Sequence, residues 1–312
     1  MLRFESNCGH EVLASLFRIK SHYSSDAQAA RLRPLLFVGA GVFRGVVGAG
    51  LGSALEEYGL IDCFADIVGI STGAACAQFG ISGQIRQHRD IYWTDARRKE
   101  FISLARLLTD KPVQDTRFLS DVFRRKLDHD AFLASRVRFH IGVTHAKTGK
   151  GHILNAKEVP DIHEAIRASM SIPVFSGEPV VIEGEPYIDG AVALGFPIRE
   201  IVEYYDPTHL LVFANGPDVE RYLPGQRFFE SMFLRHYPRA VREQIESRFE
   251  RFADDVAYLR QLAIPWMAYW GPDFSTRERN PDTLQAECLE AETRMITLLM
   301  HAQAAAILDP AH

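Results

Sequence analysis

The chain has 312 residues, of which 47% are hydrophobic and 24% charged, with a formal net charge of −5. Such a composition belongs to a globular protein with room for a large core, and it excludes extended disorder and coiled-coil or collagen-like architecture. The charge does not suit a general nucleic-acid binder, four cysteines are too few for a disulfide scaffold, and no apolar run approaches the ~20 residues of a membrane span.

Residues 1–33 are mixed in character, include Ser24 and Ser25, and end in the basic Arg31-Leu32-Arg33; they predict an irregular or partly helical extension. Glu5, His10, Glu11, Arg18 and Lys20 leave no apolar stretch for a secretory leader, so a reducing cytoplasm is the expected compartment. Pro34 opens the apolar run Leu35-Leu36-Phe37-Val38, closed by Gly39-Ala40-Gly41, which is the signal of a buried strand. Val47, Leu51, Ala54 and Leu55 then recur at helical spacing over 46–58, with Gly59 as the stop. A second buried strand, Phe64 to Ile70, runs into Ser71 and a helix of small residues, Thr72-Gly73-Ala74-Ala75-Cys76-Ala77. Strand, glycine loop, helix, strand, serine, helix is the βαβ order of a parallel sheet. Cys63 and Cys76 sit in apolar stretches and read as small core residues.

Residues 85–135 read as helical and polar. Within them, 84–126 holds eleven Lys/Arg against six Asp/Glu, a local charge of +5 that leaves −10 on the rest of the chain. Two readings fit: solvated helix faces, or a patch that meets an anionic surface. Val137–Val143 predicts a strand, Thr144–Gly151 a turn, and His152-Ile153-Leu154 its hairpin partner. Ile162–Met170 predicts a short helix, and Val180–Ile188 a hairpin about Gly184 that ends at Asp189-Gly190. Leu210–Phe213 is a further buried strand. Val241, Ile245, Phe249, Phe252, Val256 and Leu259 form one face of a long helix over 239–262, with packing on the sheet favoured over a membrane surface. A strand over 265–271 and a helix over 282–307 close the chain.

Gly69-Ile70-Ser71-Thr72-Gly73 is a G-x-S-x-G pattern placed between a predicted strand and a predicted helix, the setting that a nucleophile elbow requires. The plain alternative is a strand-to-helix turn with Ser71 as N-cap. Gly39-Ala40-Gly41-Val42-Phe43-Arg44-Gly45 also joins a strand to a helix, and its N–H groups could bind an oxyanion or a phosphate. A dinucleotide G-x-G-x-x-G does not fit, because Arg44 stands where its last glycine would fall. Thr148-Gly149-Lys150-Gly151 lacks the upstream glycine of a P-loop. Tyr187-Ile188-Asp189-Gly190-Ala191 places a carboxylate between a strand and a glycine turn.

Together and in this order, these elements resemble the patatin-like phospholipases. Gly45 lies 26 residues before Ser71, and Ala165–Pro173, Gly184–Ala191 and the Thr144–Gly149 turn are similar to family segments. Ser82-Gly83-Gln84 with Arg86, and the helix after Tyr237-Pro238, are similar to a bacterial subgroup; the resemblance spans roughly residues 34–275. It implies an α/β fold: a three-layer α/β/α sandwich with a mostly parallel central sheet and a helical C-terminal extension. The expected division is an extension over 1–33, a catalytic core over 34–215 and a mostly helical part over 216–312. It also implies a lipid acyl hydrolase, phospholipase A or lysophospholipase-like, with Ser71 as nucleophile and Asp189 as general base. The elbow glycines would be Gly69 and Gly73, and Gly190 and Ala191 would follow the aspartate. Backbone N–H groups of Gly39, Ala40, Gly41, Val42, Arg44, Gly45 and Thr72 would form the oxyanion hole. No metal or organic cofactor is implied, and the partner is an acyl-ester lipid, with peripheral membrane contact through 84–126.

One departure is visible. The loop reads Gly-Ala-Gly-Val-Phe-Arg-Gly where the family has Gly-Gly-Gly-x-Arg-Gly, and a β-branched Val42 does not easily take a positive φ. Two rival readings remain: a hydrolase or acyltransferase with a catalytic histidine among His209, His236 and His301, or an inactive protein of this fold that binds a lipid or a partner.

Overall fold

The computed structural model describes residues 3–21, 31–103, 105–106, 109, 111–220 and 234–308. Its strands, in chain order, are β1 (Arg3–Ser6), β2 (Pro34–Val38), β3 (Asp66–Ile70), β4 (Arg138–His145), β5 (Gly151–Asn155), β6 (Val180–Ile182), β7 (Glu185–Asp189), β8 (His209–Phe213) and β9 (Trp266–Trp270). They form one sheet. Its centre, β9-β8-β2-β3-β4, is parallel throughout, while β1 on one side and β5, β6 and β7 on the other pair antiparallel. Central strands such as Leu35–Val38 are apolar at every position because both faces are covered. Leu36 and Val38 join one core cluster and Leu35 and Phe37 the other.

The helices are α1 (Glu11–Ser21), α2 (Gly45–Glu57), α3 (Thr72–Ile81), α4 (Ile85–His88), α5 (Thr116–Lys126), α6 (His129–Ala134), α7 (Ile162–Ser169), α8 (Ala191–Leu194), α9 (Ile198–Tyr205), α10 (Arg239–Glu246), α11 (Arg248–Gln261) and α12 (Pro281–Leu308). Buried residues of α1, α2, α3, α7 and α12 share the larger core with one face of the sheet. Those of α9 and α11 cover the other. The architecture is the expected three-layer α/β/α sandwich.

Three local expectations change. The segment before Pro34 is partly helical, as expected, through α1, but it is built into the fold rather than appended to it: β1 pairs with β9, and Val12, Leu13 and Leu16 of α1 are fully buried. Ser24 and Ser25 lie outside the described residues. Both β1 and β9 lie outside 34–215, so the sheet draws on the chain flanking that segment. Among the described residues of 85–135, regular helix is confined to α4, α5 and α6. Between α4 and α5 the chain makes 3-10 turns at Arg89–Tyr92 and Asp95–Arg97, and Ile91, Ala96, Phe101 and Val113 are buried singly rather than along a stripe. Finally, the stripe over 239–262 is split at Ser247. Val241 and Ile245 pack with Ile188 and Val192, whereas Val256 and Leu259 pack in a separate cluster with Leu210 and Trp266.

Candidate active site

The site arises from the register of β4. One edge of β4 pairs with β5 along His140–Thr144. The other edge is shared end to end by two strands: β3 runs parallel to it up to Ile70, opposite Gly142, and β7 runs antiparallel down to Asp189, opposite Val143. The residue after Ile70 is Ser71. Serine and aspartate therefore meet where two strands of opposite direction abut, although 118 residues separate them in sequence, and the Ser71 hydroxyl donates to Asp189 Oδ2 at 2.8 Å.

Ser71 sits at φ 55°, ψ −124°, a left-handed backbone costly for any residue with a Cβ. It occupies the N-cap position of α3, but its side chain caps nothing, which sets aside the plain N-cap reading. The turn is held from outside: the Ser71 N–H donates to Ser169 Oγ at 2.7 Å, and the Ser169 hydroxyl donates to the Gly142 carbonyl at 2.6 Å. Gly73 lets α3 approach β2, since a Cβ there would stand 2.1 Å from the Val38 carbonyl oxygen.

Asp189 is 3% exposed. Its Oδ1 accepts from the Ala191 N–H at 2.8 Å, and its carbonyl accepts from the Thr144 hydroxyl at 2.9 Å. Burial pushes its carboxyl up to about 7, against the pull of the Ala191 N–H and the Ser71 hydroxyl, which favour the ionised form. The result is a carboxylate able to exchange a proton near neutral pH.

The loop after β2 divides the expected oxyanion residues into two groups. Gly39 N–H is committed to the Phe213 carbonyl, Arg44 N–H to the Gly41 carbonyl, and Gly45 N–H to the carbonyls of Val42 and Phe43. The N–H groups of Ala40, Gly41, Val42 and Phe43, and those of Thr72 and Gly73 at the start of α3, meet no acceptor among the described residues. Val42 does adopt φ +53°, against its β-branched preference, at a cost of about 1–2 kcal/mol. Two side chains hold that shape. Asn215, fully buried, donates from Nδ2 to the Gly39 carbonyl at 2.6 Å and accepts the Gly48 N–H at 2.9 Å, tying both ends of the loop together. Arg44 Nε donates to the Phe274 carbonyl at 2.6 Å, with Glu220 and Asp273 each 3.4 Å from its guanidinium.

Ser71, Val42 and Phe43 border a cavity of about 50 Å³, whose other walls include Phe101, Met170 and Ile172. The late histidines lie elsewhere. His209, at the opposite end of the sheet, is 3.5 Å from Glu11; His236 is exposed beside Arg235; His301 packs edge-on to His10. Among the described residues no three His, Cys, Asp or Glu side chains gather as a metal site, and no helix is long and apolar enough to cross a membrane. Of the cations in 84–126, Arg86, Arg89, Arg98, Arg124 and Lys126 pair with carboxylates. Arg97, Lys99, Lys111, Arg117 and Arg125 have no carboxylate partner among the described residues, while Asp110 lies outside them.

Sequence reasoning missed Asn215 and named Ser169 only as part of a longer segment. A lone Asn after a strand carries no signal by itself; its meaning comes from the φ of +60° that aims it back at the loop.

A family model described as patatin-like phospholipase matches residues 36–202. Among solved structures, VipD from Legionella pneumophila is similar at 12% identity and a TM-score of 0.49, covering 86% of this chain and 67% of VipD. The type III effector protein ExoU is similar at 14% identity and a TM-score of 0.38, covering 87% of this chain and 53% of that one. A structure of SpcU in complex with ExoU from the type III secretion system of Pseudomonas aeruginosa gives 14% identity, a TM-score of 0.34, and coverage of 85% and 60%. The chain thus spans little more than half of these ExoU chains. No curated protein matches the sequence.

Proposed function

Because this chain belongs to the patatin-like phospholipase family, a family of lipid ester hydrolases, we propose that it cleaves acyl-ester lipids through Ser71 and Asp189 by way of an acyl-enzyme. The observation that carries the proposal is the 2.8 Å hydrogen bond from the hydroxyl of Ser71, on a strained elbow, to a buried carboxylate. In this reading Ser71 Oγ attacks the ester carbonyl carbon and its proton passes to Asp189 Oδ2. As the tetrahedral intermediate collapses, the bond from carbon to the alcohol oxygen breaks and Asp189 returns the proton to the leaving alcohol. Water then attacks the acyl-enzyme, giving one proton to Asp189, which hands it to Ser71 as the fatty acid leaves. A base near 7 suits both halves of this cycle at neutral pH.

The oxyanion would be held by N–H groups from the set that lacks protein acceptors, at Ala40, Gly41, Val42 and Thr72, where each donor is worth about 3–4 kcal/mol in hydrolases of this kind. Gly39, Arg44 and Gly45 shape the loop instead. The segment 34–215 acts as the catalytic core, since it carries Ser71, Asp189, Asn215 and the cavity. Approach to an anionic lipid surface would use the unpaired cations of 84–126.

The test is labelling of purified protein with a fluorophosphonate, followed by mass spectrometry and hydrolysis of a panel of phospholipids, lysophospholipids and glycerides. Modification at Ser71 with turnover of at least one lipid class is expected. An unlabelled Ser71 in folded protein would return the chain to the reading of an inactive lipid-binding relative.

A further inference from the structure

A second cavity of about 50 Å³ adjoins the first, and its lining includes Cys76, Phe79, Ile85, His88, Arg89 and Phe123. The two cavities share one wall, made by Thr72, Tyr92, Ala96, Leu119 and Met170. Tyr92 is the largest side chain in that wall, and it is fixed in place. Its hydroxyl lies 2.7 Å from Thr72 Oγ1 and 3.3 Å from the Thr72 carbonyl. The start of α2 closes over it, where a Cβ on Gly45 would stand 2.5 Å from the Tyr92 hydroxyl oxygen. The 3-10 turn that carries Tyr92 is anchored through Arg89, which pairs with Glu292 of α12 at 2.6 Å.

We propose that Tyr92 sets the acyl-chain length this site accepts, by separating the cavity beside Ser71 from a second apolar cavity that would seat the distal part of a longer chain. The inference rests on the acyl-hydrolase reading above. An acyl group on Ser71 points its chain into the first cavity, where about 50 Å³ holds only a few water-sized groups at roughly 10–15 Å³ each. The walls beyond are mostly apolar, so a chain that passed Tyr92 would lie against the side chains of Cys76, Phe79, Ile85 and Phe123. The aromatic ring, not the hydroxyl, is the barrier.

The experiment measures kcat/KM for p-nitrophenyl acetate, butyrate, octanoate and palmitate, and rates of Ser71 phosphonylation by fluorophosphonates with short and long alkyl chains. Wild type, Tyr92→Phe, Tyr92→Leu and Tyr92→Ala are compared. Wild type and Tyr92→Phe should share one profile that favours short chains, whatever Tyr92→Phe does to the absolute rate through Thr72. Tyr92→Ala should shift the octanoate-to-butyrate ratio at least tenfold toward octanoate, with the same preference for the longer alkyl probe in phosphonylation, and Tyr92→Leu should shift both in the same direction. The ratio within one variant does not depend on the fraction folded, so a destabilised variant still reports. An unchanged ratio in Tyr92→Ala and Tyr92→Leu, or an equal shift in Tyr92→Phe, overturns the proposal while leaving the hydrolase intact. No labelling of wild-type Ser71 by any probe defeats the hydrolase reading and this proposal with it.

Discussion

Replacing Asp189 with Asn should abolish activity and, at the same time, change how stability depends on pH. Burial moves the carboxyl from its ordinary 3.8 to about 7, and a displacement of one pH unit corresponds to about 1.4 kcal/mol, so holding the ionised group costs the native state about 4 kcal/mol once pH exceeds 7. Between pH 4 and 7 the native protein keeps a proton that the unfolded chain has released. Stability attributable to this group therefore falls as pH rises through that window and levels off above it. Asn is nearly isosteric, can still accept the Ala191 N–H, and carries no charge in either state. Over pH 5 to 8 about two pH units of the window are crossed, so the variant should gain about 3 kcal/mol on wild type. Urea denaturation of both proteins at pH 5, 6, 7 and 8 measures the difference directly. His163, held down to about 4, and Asp255, raised to about 7, titrate alike in both proteins and cancel. A difference constant within about 0.5 kcal/mol across this range would show that Asp189 titrates near its ordinary value, and the argument from burial to basicity would fail.

Ser71→Ala should lose fluorophosphonate labelling and at least 1,000-fold in kcat/KM on a soluble ester, while its urea midpoint stays near that of wild type. The pH profile of wild-type kcat/KM should rise with pH through an apparent pKa near 7 as Asp189 loses its proton, and a profile flat from pH 5 to 8 would contradict this. Asn215→Ala leaves the Gly39 carbonyl and the Gly48 N–H without their partner, so stability should fall by about 2–5 kcal/mol and kcat at least tenfold, with KM within threefold. Val42→Pro forces φ to about −65° and removes one free N–H, so kcat should fall at least 100-fold, measured on the same ester.

The parts of the site that depend on local chain geometry were legible from residue order. Glycines two positions on either side of Ser71, between an apolar run and a run of small residues, announce an elbow because few other reasons place them there. The parallel centre of the sheet was likewise visible in fully apolar runs such as Leu35–Val38. What escaped depends on contacts across the fold. β1 is four mixed residues that become a strand only by pairing with β9, more than 250 positions away. The break at Ser247 comes from two packing surfaces that the helical period cannot distinguish. The positive φ of Val42 runs against its intrinsic preference and is sustained by Asn215 and Arg44, whose partners lie far along the chain. The pairing of Ser71 with Asp189 came from family likeness, and only the register of β4 explains it.

That register carries a consequence for durability. Asp189, the proposed base, arrives on a short edge hairpin, β6 and β7, whose contact with β4 is three residue pairs long, while Ser71, the proposed nucleophile, follows a strand embedded in the parallel centre. The two halves of the machinery thus sit in regions of unequal local stability. Fraying of the hairpin would carry Asp189 away and leave the sheet standing, so inactivation in mild denaturant should precede the loss of secondary structure. The amides of Tyr187 and Ile188 should then exchange with solvent in step with lost turnover, well before those of Ile67 and Val68.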